Sequence, residues 1–327
     1  MKKIFLLFIA IITTISLVGC GKKEKKEDNK LKKIKVAEVT HSMFYAPLYV
    51  SDALGYFKDN NLDVDIILTS GANNVAAAVI SGDVQIGLCG SEQTIYIYNE
   101  GAEDYLVNFA GLTKRDGSFL VSRKKNDDFK ISDLNNAWII GGRTGGMPAM
   151  TLAYTINEHG IKNANVDTSI DFAAMSGAFI AGSGDYVTLF EPNALKLEQE
   201  GYGYVVASLG QLGGEVPYTV FNTKKSYIKN NPDIIEGFSK SIQMGLDYVH
   251  NHKPEEVAKV IAPYFADNTL NEVTEVVKRY MDNDSWYQTT YITEDGFNHI
   301  KEIIDFNGLL TKDAPYDKLV NNTYNHE

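Results

Sequence analysis

The sequence predicts an α/β protein of two lobes, each built on a mainly parallel sheet, joined by two crossover segments around a ligand cleft. Three observations carry this. From Ile34 onward, short apolar runs alternate with helical patterns, and turns rich in Gly, Ser and Asn separate them. That alternation is the pattern of parallel strands linked by crossover helices. A short stretch also recurs in form: Ala78-Val79-Ile80-Ser81-Gly82-Asp83-Val84-Gln85-Ile86 reappears as Ile180-Ala181-Gly182-Ser183-Gly184-Asp185-Tyr186-Val187-Thr188, with Asp185 lying 102 residues after Asp83. Finally, two extended runs, 119–122 and 216–221, bracket the middle of the chain and are placed to carry it across and back, a hinge layout. The expected boundaries are 34–115 with 222–327 for the first lobe and 116–221 for the second.

At the N-terminus, Lys2-Lys3 precedes a 15-residue apolar run, 4–18. This is short of the about 20 residues a bilayer span requires and has the form of a signal peptide, 1–19. It ends in Leu17-Val18-Gly19-Cys20, which resembles a bacterial lipobox, in which the Cys is diacylated and becomes the mature N-terminus. The two acyl chains of such a group suffice for stable anchoring. The following segment to residue 33 is dominated by Lys, Glu, Asp and Asn, buries nothing, and makes 20–33 a lipidated Cys with a flexible charged tether. A flexible tether of that length spans about 20 Å.

In the first lobe the expected strands are 34–39, 62–68 and 84–88. The first leads through His41-Ser42-Met43-Phe44-Tyr45-Ala46-Pro47 into a helix ending near Gly55. The second leads through Thr69-Ser70-Gly71 into a helix whose Ala76-Ala77-Ala78 suits close packing, and the third into Cys89-Gly90-Ser91-Glu92-Gln93. Strands 138–140, 166–172, 186–190 and 204–208 are expected in the second lobe. Helices over 233–251, 254–264, 271–281 and 294–306 are expected to return and cover the first. Loops at the carboxyl ends of parallel strands are where ligands bind in such sheets.

The stretch Gly141-Gly142-Arg143-Thr144-Gly145-Gly146-Met147-Pro148 is the most informative of these loops. It holds four glycines in six positions directly after the apolar Trp138-Ile139-Ile140. The glycines allow backbone to approach a bound group, and Pro148 suits the first turn of a helix. The free N–H groups and positive dipole end of that helix would face whatever lies above the strand. The two Gly-Asp pairs, 82–83 and 184–185, are read as turns into strands.

Composition narrows the function classes. A formal charge of −11, with no concentrated basic face, argues against nucleic acid. The two cysteines, Cys20 and Cys89, form neither a disulfide framework nor a zinc-ligand pattern, and no metal site is expected. His250 and His252 stand at i and i+2, which point apart on a helix. The glycine turn lacks the G-x-G-x-x-G spacing of a dinucleotide site, and no G-x-S-x-G, Walker or H-E-x-x-H motif is present. Paired glycine-rich loops favour ligand capture over catalysis or a structural role.

Leader, lipobox, tether and two-lobe layout resemble the lipoprotein substrate-binding component of a bacterial ABC importer. Within that group the chain is similar to the NMT1/THI5-like family that includes aliphatic-sulfonate, taurine and thiamine-pyrimidine binding proteins. The similarity is carried by Met43-Phe44-Tyr45-Ala46-Pro47-Leu48, Gly55-Tyr56-Phe57, the run 80–86, the stretch 141–150 and Gly184-Asp185-Tyr186-Val187-Thr188-Leu189-Phe190-Glu191-Pro192. The resemblance implies a type II periplasmic-binding-protein fold, no cofactor, and a monomer on the outer face of the cytoplasmic membrane that serves an importer permease. Carried over by position, Phe44, Tyr45, Ser70, Gly71, Cys89, Gly90 and Ser91 are candidate ligand contacts from the first lobe. Arg143, Thr144, Gly145, Gly146 and Glu191 are those from the second, and Tyr218 stands near the return crossing. Cys89 also reads as a small buried hydrophobe. The same fold includes pyrimidine-synthase enzymes that use pyridoxal phosphate, but their Cys-rich motif is absent here. Two ligand classes remain open: a sulfonate held by Arg143 and the glycine turn, or a heteroaromatic vitamin precursor such as a thiamine pyrimidine, held by aromatic faces with Glu191 accepting its amine.

Overall fold

The computed structural model describes residues 31–325; the expected signal peptide, lipobox and nearly all of the tether lie outside the described residues. Among the described residues, ten strands form two five-stranded sheets. The first contains β1 (Lys32–Glu38), β2 (Leu62–Leu68), β3 (Ile86–Cys89), β4 (Leu106–Thr113) and, from much later in the chain, β10 (Thr219–Lys224). The second contains β5 (Phe119–Ser122), β6 (Trp138–Ile140), β7 (Asn165–Asp167), β8 (Tyr186–Leu189) and β9 (Tyr204–Ser208). Strand order is β2-β1-β3-β10-β4 in one and β7-β6-β8-β5-β9 in the other, the same order when each sheet is counted from its own first parallel unit. In the first sheet β1 pairs in parallel with β2 and β3; in the second β6 pairs in parallel with β7 and β8. β10 and β5 run antiparallel to their neighbours, so each sheet is mixed.

The repeated stretch is the hinge of each parallel unit: a helix, a left-handed glycine and a strand. Helix Ala72–Ser81 lays Val75, Ala76 and Val79 on the sheet and stops at Gly82, φ +87°. The helix lies so close that a Cβ on Gly87 of β3 would meet Val75 Cγ1 at 2.8 Å. Its counterpart, Met175–Ile180, is followed by Gly184 at φ +71°, and Asp185 accepts the Trp138 N–H at 2.9 Å. Both Gly-Asp pairs are turns.

The C-terminal helices return over the first sheet. Helix Pro232–Asn251 inserts Phe238 against Phe57, Phe109 and Phe221, with ring centroids 4.9–5.8 Å apart. Such aromatic clusters gain about 0.5–1.5 kcal/mol per pair beyond burial. Helices Pro254–Ile261, Leu270–Asp282 and Glu294–Phe306 follow, the last two N-capped by the Thr269 and Thr293 hydroxyls. No helix of the described residues is long and apolar enough to cross a membrane.

Two expectations need correction, and one strand was not expected at all. The run 166–172 is not one strand: β7 ends at Asp167, whose Oδ1 accepts from the Ser169 N–H and hydroxyl at 2.9 and 2.6 Å. That local turn competes with the sheet ladder and frees the chain for a 3₁₀ turn at Phe172–Ala174. β4 carries no alternation because every residue in it is buried, and a fully buried run gives no period-2 signal. The runs 119–122 and 216–221 do not pair with each other as crossovers. β5 is an interior strand of the second sheet, and Thr219 onward is an interior strand of the first. The segments that pass between the sheets are the short pieces beside them. There, Val216 and Tyr218 donate backbone N–H groups to the carbonyls of Lys114 and Thr113, at 3.0 and 3.1 Å, and Leu209 donates to Ser118 at 3.0 Å.

Candidate functional site

Every parallel strand sends its carboxyl end toward one cavity of about 630 Å³. The loops after β1, β2 and β3 supply one wall, with Tyr218 and Thr219 at the start of β10. The loops after β6, β7 and β8 supply the other. A site at such strand ends is built from loops that vary without disturbing the sheets beneath.

Aromatic rings dominate the walls. Phe44 is fixed from behind: its carbonyl accepts the Trp286 indole N–H at 2.8 Å, and its ring lies 5.0 Å from Tyr280 and 5.8 Å from Phe190. Gly117 is a glycine because the Phe44 ring covers it; a Cβ there would meet the ring at 2.6 Å. Tyr45 and Tyr218 are buried, and burial pushes both phenols well above their ordinary range, so they stay neutral donors. Phe172, 44% exposed, stands at the mouth with its ring 5.9 Å from Phe190.

Of the thirteen residues expected at the site, ten line this cavity: Phe44 and Tyr45, Ser70 and Gly71, Gly90, Arg143, Gly145 and Gly146, Glu191, and Tyr218. Three do not. Cys89 is fully buried beneath the wall, where its Sγ accepts from Asn222 Nδ2 at 3.3 Å and burial pushes its thiol upward. Ser91 turns away, donating to the Pro217 carbonyl at 2.6 Å. Thr144 points outward and shares a 2.7 Å hydrogen bond with Thr168.

Glu191 lines the cavity, but its carboxylate is already committed. Oε1 takes Arg279 Nη1 and Oε2 accepts the Leu195 N–H at 2.9 Å, with the side chain wholly buried. Burial raises its pKa, and the neighbouring Arg279 opposes that rise. Each of its oxygens thus already holds one donor, so the carboxylate is engaged by the protein itself before any ligand amine arrives. Arg143 is exposed at the rim, beside the first turn of helix Met147–Glu158.

The loop after β3 carries the carboxylate that spacing did not single out. Glu92 is 2% exposed and lines the cavity. Burial lifts its pKa from 4.5 to about 7, opposed by the Gln93 side chain and by its own backbone N–H. The available signal was Gly90: a Cβ there would fall 1.9 Å from Glu92 Oε2, so the glycine makes room for the carboxylate to fold back over it. His41, also on the wall, bridges Glu38 and the Tyr264 carbonyl through its two ring nitrogens, each at 2.8 Å, while Tyr49 donates to the other Glu38 oxygen. Burial alone lowers the His41 pKa, but its bond to Tyr264 and its bond and charge interaction with Glu38 outweigh that and raise it. Among the described residues no group of three or more His, Cys, Asp or Glu is arranged to hold a metal ion.

Comparison with known proteins places this geometry. The chain is 40% identical over 315 residues to YtlA of Bacillus subtilis (strain 168), provisionally named a binding protein, covering 95% of this chain and 93% of that one. The alkanesulfonate-binding protein SsuA of Xanthomonas axonopodis pv. citri, bound to MOPS, superposes with a TM-score of 0.70 at 12% identity, covering 90% of this chain and 99% of that one. The Candida albicans CA3427 gene product, described as having the generic periplasmic binding protein fold, superposes with a TM-score of 0.66 at 15% identity, covering 89% and 96%. At those identities the two structures establish the fold, which is that of the periplasmic binding proteins. The family model described as NMT1/THI5 like matches residues 43–257, and with a match of that length the chain belongs to the NMT1/THI5-like family.

Proposed function

We propose that this chain is the extracytoplasmic solute-binding component of an ABC importer, and that it captures a flat heteroaromatic molecule, such as a pyrimidine vitamin precursor, between two lobes that close on it. The first lobe carries β1 to β4, β10 and the C-terminal helices and the second carries β5 to β9, so the return boundary falls ahead of Thr219 and not at the expected 221/222. The observation that carries the ligand class is the aromatic wall: Phe44, Tyr45, Tyr218, Phe190 and Phe172 surround a cavity of about 630 Å³, large enough for one small ring system. Family membership and the likeness to YtlA support the transport role. A lipid on Cys20 would hold the folded body near the membrane that carries the permease. Capture, not catalysis, is the reading, since the wall carries no nucleophile paired with a base.

A second reading is a sulfonate, favoured by Arg143 on the rim beside the glycine turn and by the ligand class of the Xanthomonas SsuA protein. Isothermal titration of the purified protein against pyrimidines, flavins and aliphatic sulfonates separates the two. The ring reading expects saturable binding of a pyrimidine that Phe190→Ala weakens. Sulfonate binding that Arg143→Ala abolishes, with no response to any ring compound, would overturn it.

A further inference from the structure

Two buried carboxylates line the cavity, and they differ in one respect. Both oxygens of Glu191 are engaged, and Arg279 balances its charge. Glu92 has no such balance: Oε1 accepts a 3.1 Å hydrogen bond from Gln93 Nε2, while Oε2 is buried without any hydrogen-bond partner. Leaving a buried acceptor unmade is costly, and more so for a charged one. The fold is nonetheless shaped around it. Gly90 stands where any side chain would displace Oε2, and the carboxylate sits at the start of helix Glu92–Asn99. The titratable groups on which its charge acts are the Tyr45 and Tyr218 hydroxyls, the Cys89 thiol and, on its own helix, Tyr96. Among the described residues no cation pairs with it. Helix-dipole stabilisation alone does not call for burial, since an exposed first-turn Glu gains the same interaction.

We infer that Glu92 is the specificity-determining residue of the cavity: its Oε2 accepts an N–H from the bound ring, so the ligand carries an amine or ring N–H on the edge that faces β3. This rests on the ring-binding reading above and names the polar edge that reading leaves open. It replaces Glu191 in that role. It also disfavours a ligand whose anionic group reaches the floor of the cavity, because two negative charges would then share a water-poor site.

The test uses a matched pair of probes, 4-amino-2-methylpyrimidine and its methyl isostere 2,4-dimethylpyrimidine, titrated calorimetrically at pH 8.5, where the Glu92 carboxyl is ionised, into the wild-type protein, Glu92→Gln and Gly90→Ala. A charge-assisted hydrogen bond of this kind corresponds to roughly 10–150-fold in Kd. The wild type should prefer the amino probe by a factor in that range. Glu92→Gln, which keeps shape and removes a buried charge, should shrink the preference several-fold and leave the affinity for the dimethyl probe unchanged. Gly90→Ala, which retains Glu92 but displaces its carboxylate, should lose the same preference. A preference that survives Glu92→Gln, or an equal loss for both probes, overturns the role of Glu92 while leaving the ring-binding reading intact. If neither probe binds and a sulfonate does, both fall together.

Discussion

Arg279 donates through Nη1 to Glu191 and through Nη2 to Glu198 at 2.6 Å, tying helix Leu270–Asp282 to both ends of the segment that follows β8. The guanidinium is about a quarter exposed, 26%, while the Glu191 side chain is wholly buried, so the two partners are not equivalent. Arg279→Ala leaves Glu191 buried and unpaired. It should cost toward the lower end of the about 3–5 kcal/mol seen when a buried pair loses one member. Glu191→Gln should cost less, because the amide oxygen still accepts from Leu195. Urea unfolding of the two variants checks the ordering; equal costs would mean the pair is effectively solvated.

Glu92 makes stability depend on pH in a defined direction. Its carboxyl titrates near 7 in the folded protein and near 4.5 when unfolded. Between those values the folded state keeps a proton that the unfolded state has released, so stability falls as pH rises through the window. The loss is at most roughly 3–4 kcal/mol, over about 2.5 pH units at 1.36 kcal/mol per unit. Glu92→Gln should remove that slope and be the more stable protein above pH 7. The residual slope includes His41, Asp116 and Glu191, whose pKa values are also raised and which act in the same direction, and Asp167, Glu272 and Asp313, whose lowered values act in the opposite one. Chemical denaturation of both proteins from pH 4.5 to 8 gives the difference curve; parallel curves would place Glu92 in contact with solvent.

Asp116 anchors one of the two segments between the sheets. It is buried and accepts from the Ser118 N–H at 2.7 Å, the Ser118 hydroxyl at 2.6 Å and the Thr151 hydroxyl at 2.5 Å. Thr151→Val is close to isosteric and deletes one of these charge-assisted bonds. A loss of about 1.5–3 kcal/mol is expected, readable as a lower denaturation midpoint at unchanged m-value.

Closure and anchoring are separately measurable. Any ligand that binds the folded state alone should raise stability by about 2.7 kcal/mol at a hundredfold excess over Kd, and two closing lobes should lower the radius of gyration in solution scattering. A stability gain without contraction would mean that the unliganded form is already closed. For the N-terminus, Cys20→Ala should leave unlipidated protein that no longer partitions with membranes; a variant still cleaved at residue 20 and still membrane-bound rules out the lipid anchor.

How much of this was legible in the sequence differs by element. β2, β6 and β9 and the C-terminal helices stand close to where the apolar runs and periodicity put them, whereas β5, buried at all four positions, reads only as an extended run. β4 escaped, since Leu106 to Thr113 is buried throughout and shows no alternation. At the site, the strand-end rule finds Phe44, Gly90, Arg143 and Glu191, because a loop's position follows from the strand before it. It does not say which way a side chain in that loop turns. Ser91 and Glu92 are neighbours, yet one bonds the Pro217 carbonyl and the other lines the cavity. Likewise Glu191 reads as a ligand acceptor until Arg279, 88 residues away, arrives to occupy it.

Of the two tryptophans in the chain, Trp138 is 38% exposed at the start of β6, whereas Trp286 is 1% exposed with its indole N–H bonded to the Phe44 carbonyl. The two indoles therefore sit in opposite environments, and only that of Trp286 is bonded to a residue of the cavity wall. An aqueous quencher such as iodide should act on Trp138 and spare Trp286, so the emission that survives quenching reports on the surroundings of Phe44. Ligand occupancy can be followed in that emission without a dye, a label or a mutation.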